Sequence, residues 1–516
     1  MAGENELLAV VERWALDRSD APAYRSGDGA TMTYGELWKL SDAIAATLAE
    51  RTGGREPVVV LGHKSALMAA GFLGCLKSGH AFVPVDVEMP ASRLADIIGQ
   101  LGEPLLLAAE GVPEALRALA PDGRAIDLRA LVGAGRPEPA CPPDRSRWVA
   151  GEETQYVIFT SGSTGRPKGI EVSADNVARF AEWVRSFPVV ADGGCVFLDQ
   201  PPYSFDLSEY EVAGALATGG CLYAVPREVA EDARALFADL RASQVEVWVS
   251  TPSFADLCLA DKAFDQDLLP DVRLFLFCGE ALHHGTVAAL AQRFPRARIA
   301  NTYGPTESTV AVTYGEIGAA ELADPAPLPV GRPRPGTEIR IVDRETGEPC
   351  AAGRTGEIVI VGDTVAKGYF RNPEKTAAAF FETRLSDGRA VRAYRTGDAG
   401  HVDAAGVLHC EGRFDTLVKV NGFRIELEDI EENIGALPSV KQAAVVPVVR
   451  RGRVSHLKAC VVLERRARDE FEARQAIKRG LAERVPSYMV PRTVKLLDEL
   501  PLTCNGKVDR KALAEA

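Results

Sequence analysis

Thr154-Gln155-Tyr156-Val157-Ile158-Phe159-Thr160 runs directly into Ser161-Gly162-Ser163-Thr164-Gly165-Arg166-Pro167-Lys168-Gly169. The first seven residues are mostly aromatic or β-branched and contain neither Gly nor Pro, which predicts a buried strand. The strand leads into a loop of hydroxyls and glycines carrying one lysine. Gly162, Gly165 and Gly169 let the backbone approach a ligand closely, and successive N–H groups can form a nest for an anion. Ser161, Ser163 and Thr164 add hydroxyl donors, and Lys168 adds a positive charge. Phosphate is the matching guest, with a plain Ser/Gly turn as the simpler alternative. The loop is not a Walker A motif, because Pro167 precedes the lysine and no Gly-Lys-Ser/Thr occurs at the required spacing.

Working outward, strand and helix patterns alternate on both sides of this loop. Leu7–Leu16 has helical periodicity, and Thr33-Tyr34-Gly35-Glu36-Leu37 opens a second helix running to about Ala49. Val58–Leu61 reads as a strand, Ser65–Lys77 as a helix of small residues, and Ala81–Val85 as a strand again. Downstream come Cys221–Val225, a helix around Ala230–Ala242, then Val245–Val249 and Leu274–Phe277. Such alternation predicts α/β architecture with a parallel sheet and right-handed crossovers. Positions 111–150, rich in Pro, Gly, Ala and Arg, read as a variable surface stretch.

Beyond about residue 325 the texture changes to Pro, Gly and short β-runs, among them Ile339–Val342 and Glu357–Val361, predicting a β-rich subdomain. After Gly412-Arg413-Phe414-Asp415 comes a compact α+β tail. Its elements are a strand at Leu417–Val420, an acidic helix from Glu426, strands at Ala443–Val449 and His456–Leu463, and a helix at Arg474–Arg484. The expected organisation is a large N-terminal domain over 1–414 and a small mobile C-terminal domain over 415–516.

Bulk properties bound the function. A chain of 516 residues is too long for one core. Its net charge of −13 argues against general affinity for nucleic acid or an anionic membrane. The ten cysteines and seven histidines are scattered without a Cys-x-x-Cys pair, so reduced thiols in the cytoplasm are expected rather than disulfides or zinc. No apolar run approaches membrane-spanning length, and the N-terminus lacks the basic region of a signal peptide.

Four further stretches carry chemistry: Phe205-Asp206-Leu207-Ser208, Asn301-Thr302-Tyr303-Gly304-Pro305-Thr306-Glu307, Tyr394-Arg395-Thr396-Gly397-Asp398 and Pro501-Leu502-Thr503-Cys504-Asn505-Gly506-Lys507. The second reads as a tight turn following a strand at Arg298-Ile299-Ala300, and the third as a carboxylate placed after a turn. Together with the loop after Thr160 they resemble, in order and over nearly the whole length, the adenylate-forming enzymes. That family includes acyl-CoA synthetases, luciferases and nonribosomal peptide synthetase adenylation domains. Within it the chain is most similar to D-alanine–carrier-protein ligases.

The resemblance implies roles for individual residues. Thr160 to Gly165 (Thr160, Ser161, Gly162, Ser163, Thr164, Gly165) and Lys168 would hold ATP phosphates, and Gly279, Glu280, Ala281, Asn301 and Thr302 would line the adenine pocket. Tyr303 would offer a flat face to the base, Gly304 and Thr306 would lie at the phosphates, and Glu307 would supply a hard oxygen to Mg²⁺. Asp398 would hold the ribose hydroxyls with help from Arg413. Lys507 is the implied catalytic lysine, bridging substrate carboxylate and α-phosphate; Thr160 and Glu307 would assist catalysis.

Asp206 would pair with the α-ammonium of an amino acid, although Asp206 followed by Glu209 also makes a helix-capping signal. Leu207, Tyr210, Val249, Leu276, Cys278, Thr302, Val310 and Ala311 would line the side-chain pocket, whose mostly apolar character suits a small side chain. Cys278 in Phe277-Cys278-Gly279-Glu280 matches the D-alanine ligases, whereas Tyr210 stands where a smaller residue is expected. Glycine, serine, proline and other small amino acids are therefore competing substrates.

The implied reaction makes aminoacyl-AMP from Mg·ATP and then passes the acyl group to the phosphopantetheine thiol of a carrier protein. No carrier domain follows Lys507, so that acceptor is expected in trans. Asp415 is the implied hinge for a rotation that presents Gly422 in the second step. The rival readings are an acyl-CoA synthetase, in which Asp206 would have no ammonium partner, and a non-catalytic nucleotide-binding scaffold.

Overall fold

The computed structural model describes residues 5–119, 123–133, 143–162, 165–414, 417–450, 453–465, 467, 469–501 and 508–515. Its contacts divide the chain into two compact units. One holds Met1–Val87, Glu103–Ile158 and Ile170–Phe414; the other gathers Glu88–Gly102, Phe159–Gly169 and Asp415–Ala516.

The larger unit is built on parallel sheets. In the first, strands Arg298–Tyr303, Leu274–Phe277, Val247–Ser250, Val196–Asp199, Cys221–Ala224 and Pro22–Ser26 run parallel in that spatial order. Antiparallel strands Thr313–Glu316 and Arg332–Pro333 extend one edge, and Thr31–Thr33 closes the other. A second sheet lines up Ala125–Asp127, Leu106–Ala108, Val58–Leu61, Phe82–Val85 and Thr154–Thr160, all parallel. The β-rich expectation also holds: Thr337–Val342, Gly356–Gly362, Ala390–Val402, Phe380–Arg384 and Leu408–Arg413 form an antiparallel sheet.

Side-chain alternation explains how the first sheet is buried on both faces. Val247, Val249, Leu274 and Leu276 point into one apolar cluster, together with Leu207, Tyr210 and Cys278. Trp248, Phe275 and Phe277 point into another, where the Trp248 ring meets Phe264 edge-on at 5.1 Å. Two covered faces are why these strands read as continuous apolar runs. Helix Glu209–Thr218, every residue of which is buried, lies in the first cluster. A helix with no solvent face needs no polar stripe.

Local chemistry sets the element ends. Thr33 caps the helix Tyr34–Arg51 in a reciprocal box with Glu36. The single helix expected around Ala230–Ala242 is two, Arg227–Glu231 and Ala233–Ser243, because Asp232 leaves the helix to cap the second through Ala235 N at 2.8 Å.

In the smaller unit, Val440–Arg450, Arg453–Leu463 and Thr493–Leu496 form a three-stranded sheet, and Leu417–Val420 pairs with Phe423–Glu426. Ile425, Ile430, Ile434, Val445, Val461 and Ile477 build a separate core there.

Candidate active site

Two of the sequence-derived motifs sit differently from expectation. Asn301, Thr302 and Tyr303 belong to the strand Arg298–Tyr303 and not to the turn, which starts only at Gly304. Gly304 is needed there, since a Cβ would lie 2.4 Å from Ala311 Cα. Asp398 likewise lies inside the strand Ala390–Val402 and does not follow a turn. Gly397 adopts φ 71° within that strand, so the chain bends without ending it.

The residues expected around an amino acid all fall within the larger unit. Asp206 occupies a short 3₁₀ turn, Asp206–Ser208, and is 5% exposed. It is not the cap of the following helix, which starts at Glu209 behind Ser208 with no side-chain cap. The structure brings Leu207, Tyr210, Val249, Leu276, Cys278, Val310 and Ala311 into one buried cluster, with Thr302 buried on the neighbouring strand. Tyr210 is wholly buried and donates its phenol proton to Thr302 Oγ1 at 3.1 Å; Thr302 Oγ1 donates in turn to the Phe277 carbonyl at 2.8 Å. Burial, and next the neighbouring Cys278, push the Tyr210 phenol well above its ordinary range, so it remains a donor.

Thr309 and Val310 both have left-handed backbones, φ 60° and 67°, which cost free energy for a β-branched residue. Thr309 is held in this shape by its hydroxyl on the Thr364 carbonyl at 2.7 Å. The bend turns Val310 O toward Cys278, whose sulfur lies 3.9 Å away.

A second group of residues lies around Asp398. Its carboxylate accepts from Tyr303 Oη on one oxygen and from Arg413 Nη1 at 2.5 Å on the other. Register pairing sets Asp398 directly opposite Arg413 on the neighbouring strand, within reach of that ion pair. Burial and the Asp398 charge push the Tyr303 phenol well up. Asn301 Nδ2 donates to the Pro329 carbonyl at 2.8 Å, while its Oδ1 is buried with no partner among the described residues.

Glu307 is fully buried and accepts from Tyr369 Oη at 2.9 Å. Thr306 stands beside it in the turn Thr306–Ser308. Glu280 accepts from the Ser253 hydroxyl at 2.5 Å, following Gly279 at φ 92° and Cys278, the first residue past the strand Leu274–Phe277. Ala281 continues that segment. Tyr369 was not singled out from sequence; nothing in Gly368-Tyr369-Phe370 marks it until the fold sets it on Glu307.

The loop Phe159–Gly169 belongs to the smaller unit. Ser161 Oγ donates to the Arg424 carbonyl at 2.8 Å and accepts from Glu426 N at 3.1 Å. Lys168 Nζ pairs with Glu426 at 3.0 Å. Gly162 N points at Asp429 Oδ2, which also binds Arg93 Nη2 at 2.7 Å. Arg93 reaches Gly165 O at 3.0 Å, and Gly165 has φ 68°. Thr160 Oγ1 is buried with no partner among the described residues. Ser163, Thr164, Asp415 and Lys507 lie outside the described residues.

With this geometry in place, the comparisons with known proteins are specific. The AMP-binding enzyme family matches residues 11–370, and the AMP-binding enzyme C-terminal domain matches residues 429–507. The chain belongs to the AMP-binding enzymes. A D-alanine–D-alanyl carrier protein ligase from Bacillus licheniformis is 42% identical over 99% of both chains. Among solved structures, an NRPS protein containing adenylation and PCP domains, bound to a vinylsulfonamide inhibitor, superposes with TM-score 0.82 at 28% identity, covering 99% of this chain and 84% of that one. The Vibrio cholerae adenylation domain AlmE, in complex with glycyl-adenosine-5′-phosphate, gives TM-score 0.80 at 25% identity, covering 99% and 96%. The chain is thus a ligase-type member of an ATP-using enzyme family. None of its described helices is long and apolar enough to cross a membrane.

Proposed function

We propose that the protein joins a small amino acid, D-alanine first, to AMP and then to the phosphopantetheine thiol of a separate carrier protein. The observation that carries this reading is a buried carboxylate, Asp206, among buried side chains that include Leu207 and the wholly buried Tyr210. A cation stabilises a carboxylate buried there, and the α-ammonium of an amino acid supplies one. The acid substrate of an acyl-CoA synthetase brings no such charge to Asp206. The name of the full-length relatives supports D-alanine. Tyr210 favours glycine as the second candidate, because its ring fills space that a side chain would use.

In this reading Asn301 Oδ1, without a partner among the described residues, accepts from the adenine amino group, and Tyr303 lies against the base. Asp398 and Arg413 bind the ribose hydroxyls. Lys168 and the backbone N–H groups of the glycine-rich loop bind phosphates, and Lys507 bridges the carboxylate and α-phosphate. The substrate carboxylate attacks the α-phosphorus and pyrophosphate leaves; the thiol sulfur then attacks the acyl carbon and AMP leaves.

No group of three or more described His, Cys, Asp or Glu residues could hold a metal alone. Mg²⁺ would therefore arrive on ATP and take one oxygen from Glu307, the usual arrangement for a cation shared with substrate phosphates. Work in the cytoplasm suits the scattered cysteines of the sequence.

The test is amino-acid-dependent ATP–pyrophosphate exchange with D-alanine, L-alanine, glycine, L-serine and L-proline. Preference for D-alanine supports the reading, and preference for glycine supports the second candidate. Exchange with none of them would overturn it.

A further inference from the structure

Six non-glycine residues have a positive φ among the described residues: Glu103, Gln244, Thr309, Val310, Arg371 and Asn421. Four of them are exposed; Thr309 and Val310 are β-branched, consecutive and buried. A left-handed backbone is costly for a β-branched side chain, so the buried strain is concentrated at this one turn. Ala311 N donates to the Thr309 carbonyl at 2.8 Å and closes a three-residue turn about Val310, whose φ of 67° is that of the strained γ-turn. Gly304 packs against it so closely that a Cβ there would lie 2.9 Å from Val310 O.

The bond from the Thr309 hydroxyl to the Thr364 carbonyl, at 2.7 Å between two fully buried residues, opposes that strain. The acceptor is itself fixed on both sides. Asn176, buried on helix Ala174–Arg185, donates its Nδ2 to the Asp363 carbonyl at 2.8 Å and to the Val365 carbonyl at 3.3 Å. Arg392 Nε adds a bond to the Val365 carbonyl at 3.0 Å, and Arg334 Nη1 pairs with the Asp363 carboxylate at 2.5 Å. Ala366 N donates to the Glu307 carbonyl at 2.9 Å, just ahead of the turn. Segment 363–366 is thus anchored to several distant elements and gives the strained turn a fixed point.

We propose that Thr309 is a positioning residue for the amino acid: its hydroxyl keeps Thr309 and Val310 left-handed, so the pocket wall stands in its binding shape before substrate arrives. The inference rests on the amino-acid reading of the proposed function, in which Val310 and Ala311 line the pocket. Backbone strain survives only where surrounding bonds over-determine it, and it gathers at ligand-binding sites. Without the hydroxyl the turn relaxes, and a smaller fraction of molecules holds the binding shape. The apparent affinity for the amino acid then falls by that fraction.

The test measures KM for the amino acid and for ATP in pyrophosphate exchange with wild type, Thr309→Ser, Thr309→Ala and Thr309→Gly. Serine keeps the hydroxyl, alanine loses it, and glycine loses it while also removing the steric cost of a positive φ. Thr309→Ser is expected to stay within about threefold of wild type, because the bond to Thr364 is retained. Thr309→Ala should raise the amino-acid KM by about tenfold, with kcat and the KM for ATP moving less than about threefold. Thr309→Gly should recover most of that loss. A side chain that only fills space predicts the reverse order, since glycine removes the most. Thr309→Gly binding more weakly than Thr309→Ala therefore overturns the inference, as does an amino-acid KM unchanged in Thr309→Ala.

Should Thr309→Ala not fold, Thr309→Gly decides. Folded, with an amino-acid KM within about threefold of wild type, it supports the inference; unfolded, or further from wild type, it overturns it. Wild type inactive with every amino acid overturns the proposed function and this inference with it, whereas exchange indifferent to Thr309 overturns this inference alone.

Discussion

Tyr210 Oη and Thr302 Oγ1 lie 3.1 Å apart, and this hydrogen bond joins the all-buried helix to the strand that ends at Tyr303. The phenol is fixed from three sides: by Thr302, by the Phe180 ring edge-on at 5.0 Å, and by complete burial. In the proposed amino-acid site it would act as a rigid wall.

Replacing that wall should change substrate size before it changes chemistry. Tyr210→Ala is expected to raise activity with larger aliphatic amino acids relative to D-alanine or glycine by at least about tenfold, since one or two added methylenes are worth about 1–3 kcal/mol in an apolar pocket. It should also cost about 3–5 kcal/mol of stability through the cavity left behind. Tyr210→Phe keeps the ring and leaves Thr302 bonded to Phe277, so selectivity should hardly move. Pyrophosphate exchange across an amino-acid series, with thermal melts of each variant, separates the two effects.

Asp398 is held by a phenol and a guanidinium at once, which predicts a nucleotide-specific defect. Asp398→Asn loses charge-assisted hydrogen bonds worth about 1.5–3 kcal/mol, corresponding to roughly 10- to 100-fold in the KM for ATP. The KM for the amino acid should stay within about threefold, because the Asp206 pocket is built from other elements. A comparable rise in both KM values would remove Asp398 from the nucleotide side.

Much of this site was legible in sequence because its residues sit in contiguous, chemically unusual runs. The Asp206 turn, the Asn301–Glu307 run and the glycine-rich loop each announce themselves, and the parallel strands show as apolar runs. Secondary structure around the motifs was less legible. Asp398 follows a glycine and so read as a turn, yet strand pairing with Arg413 overrides that local preference. Tyr369 and Arg93 could not be picked out at all, and Glu209 showed only as half of a capping signal with Asp206. Each matters only through a partner far away in sequence, such as Glu307 or Asp429, or through burial that no local pattern encodes.

Glu209 predicts a pH dependence of stability. Burial, with the Asp206 charge adding to it, raises its folded pKa from 4.5 to about 8, so between these values the folded state holds a proton that the unfolded state has lost. Stability from this group is thus fully present below about pH 4.5 and lost as pH rises toward 8. Glu209→Gln, which cannot ionise, should gain on wild type in melting temperature as pH rises from 5 to 8, and the gap should level off above that. A gap independent of pH would show that Glu209 titrates normally.

Among the described residues of the smaller unit, the ion pair of Arg93 with Asp429 is the most enclosed, with side chains 5% and 0% exposed. It is bidentate, Nη2 to Oδ2 at 2.7 Å and Nη1 to Oδ1 at 3.3 Å, and Asn433 Nδ2 adds a third donor to Asp429 at 3.0 Å. Removing only the cation leaves a buried carboxylate with neutral donors, so Arg93→Met should destabilise this unit by about 3–5 kcal/mol. Removing both charges is a different matter. Desolvation of the pair offsets most of its attraction, and Arg93→Met with Asp429→Asn should recover the larger part of the loss. Hydrogen exchange on the helix Leu427–Gly435 reads the effect where it occurs, independently of the larger unit. If the double variant is as unstable as the single one, the pair stabilises through packing of the arginine stem rather than through charge.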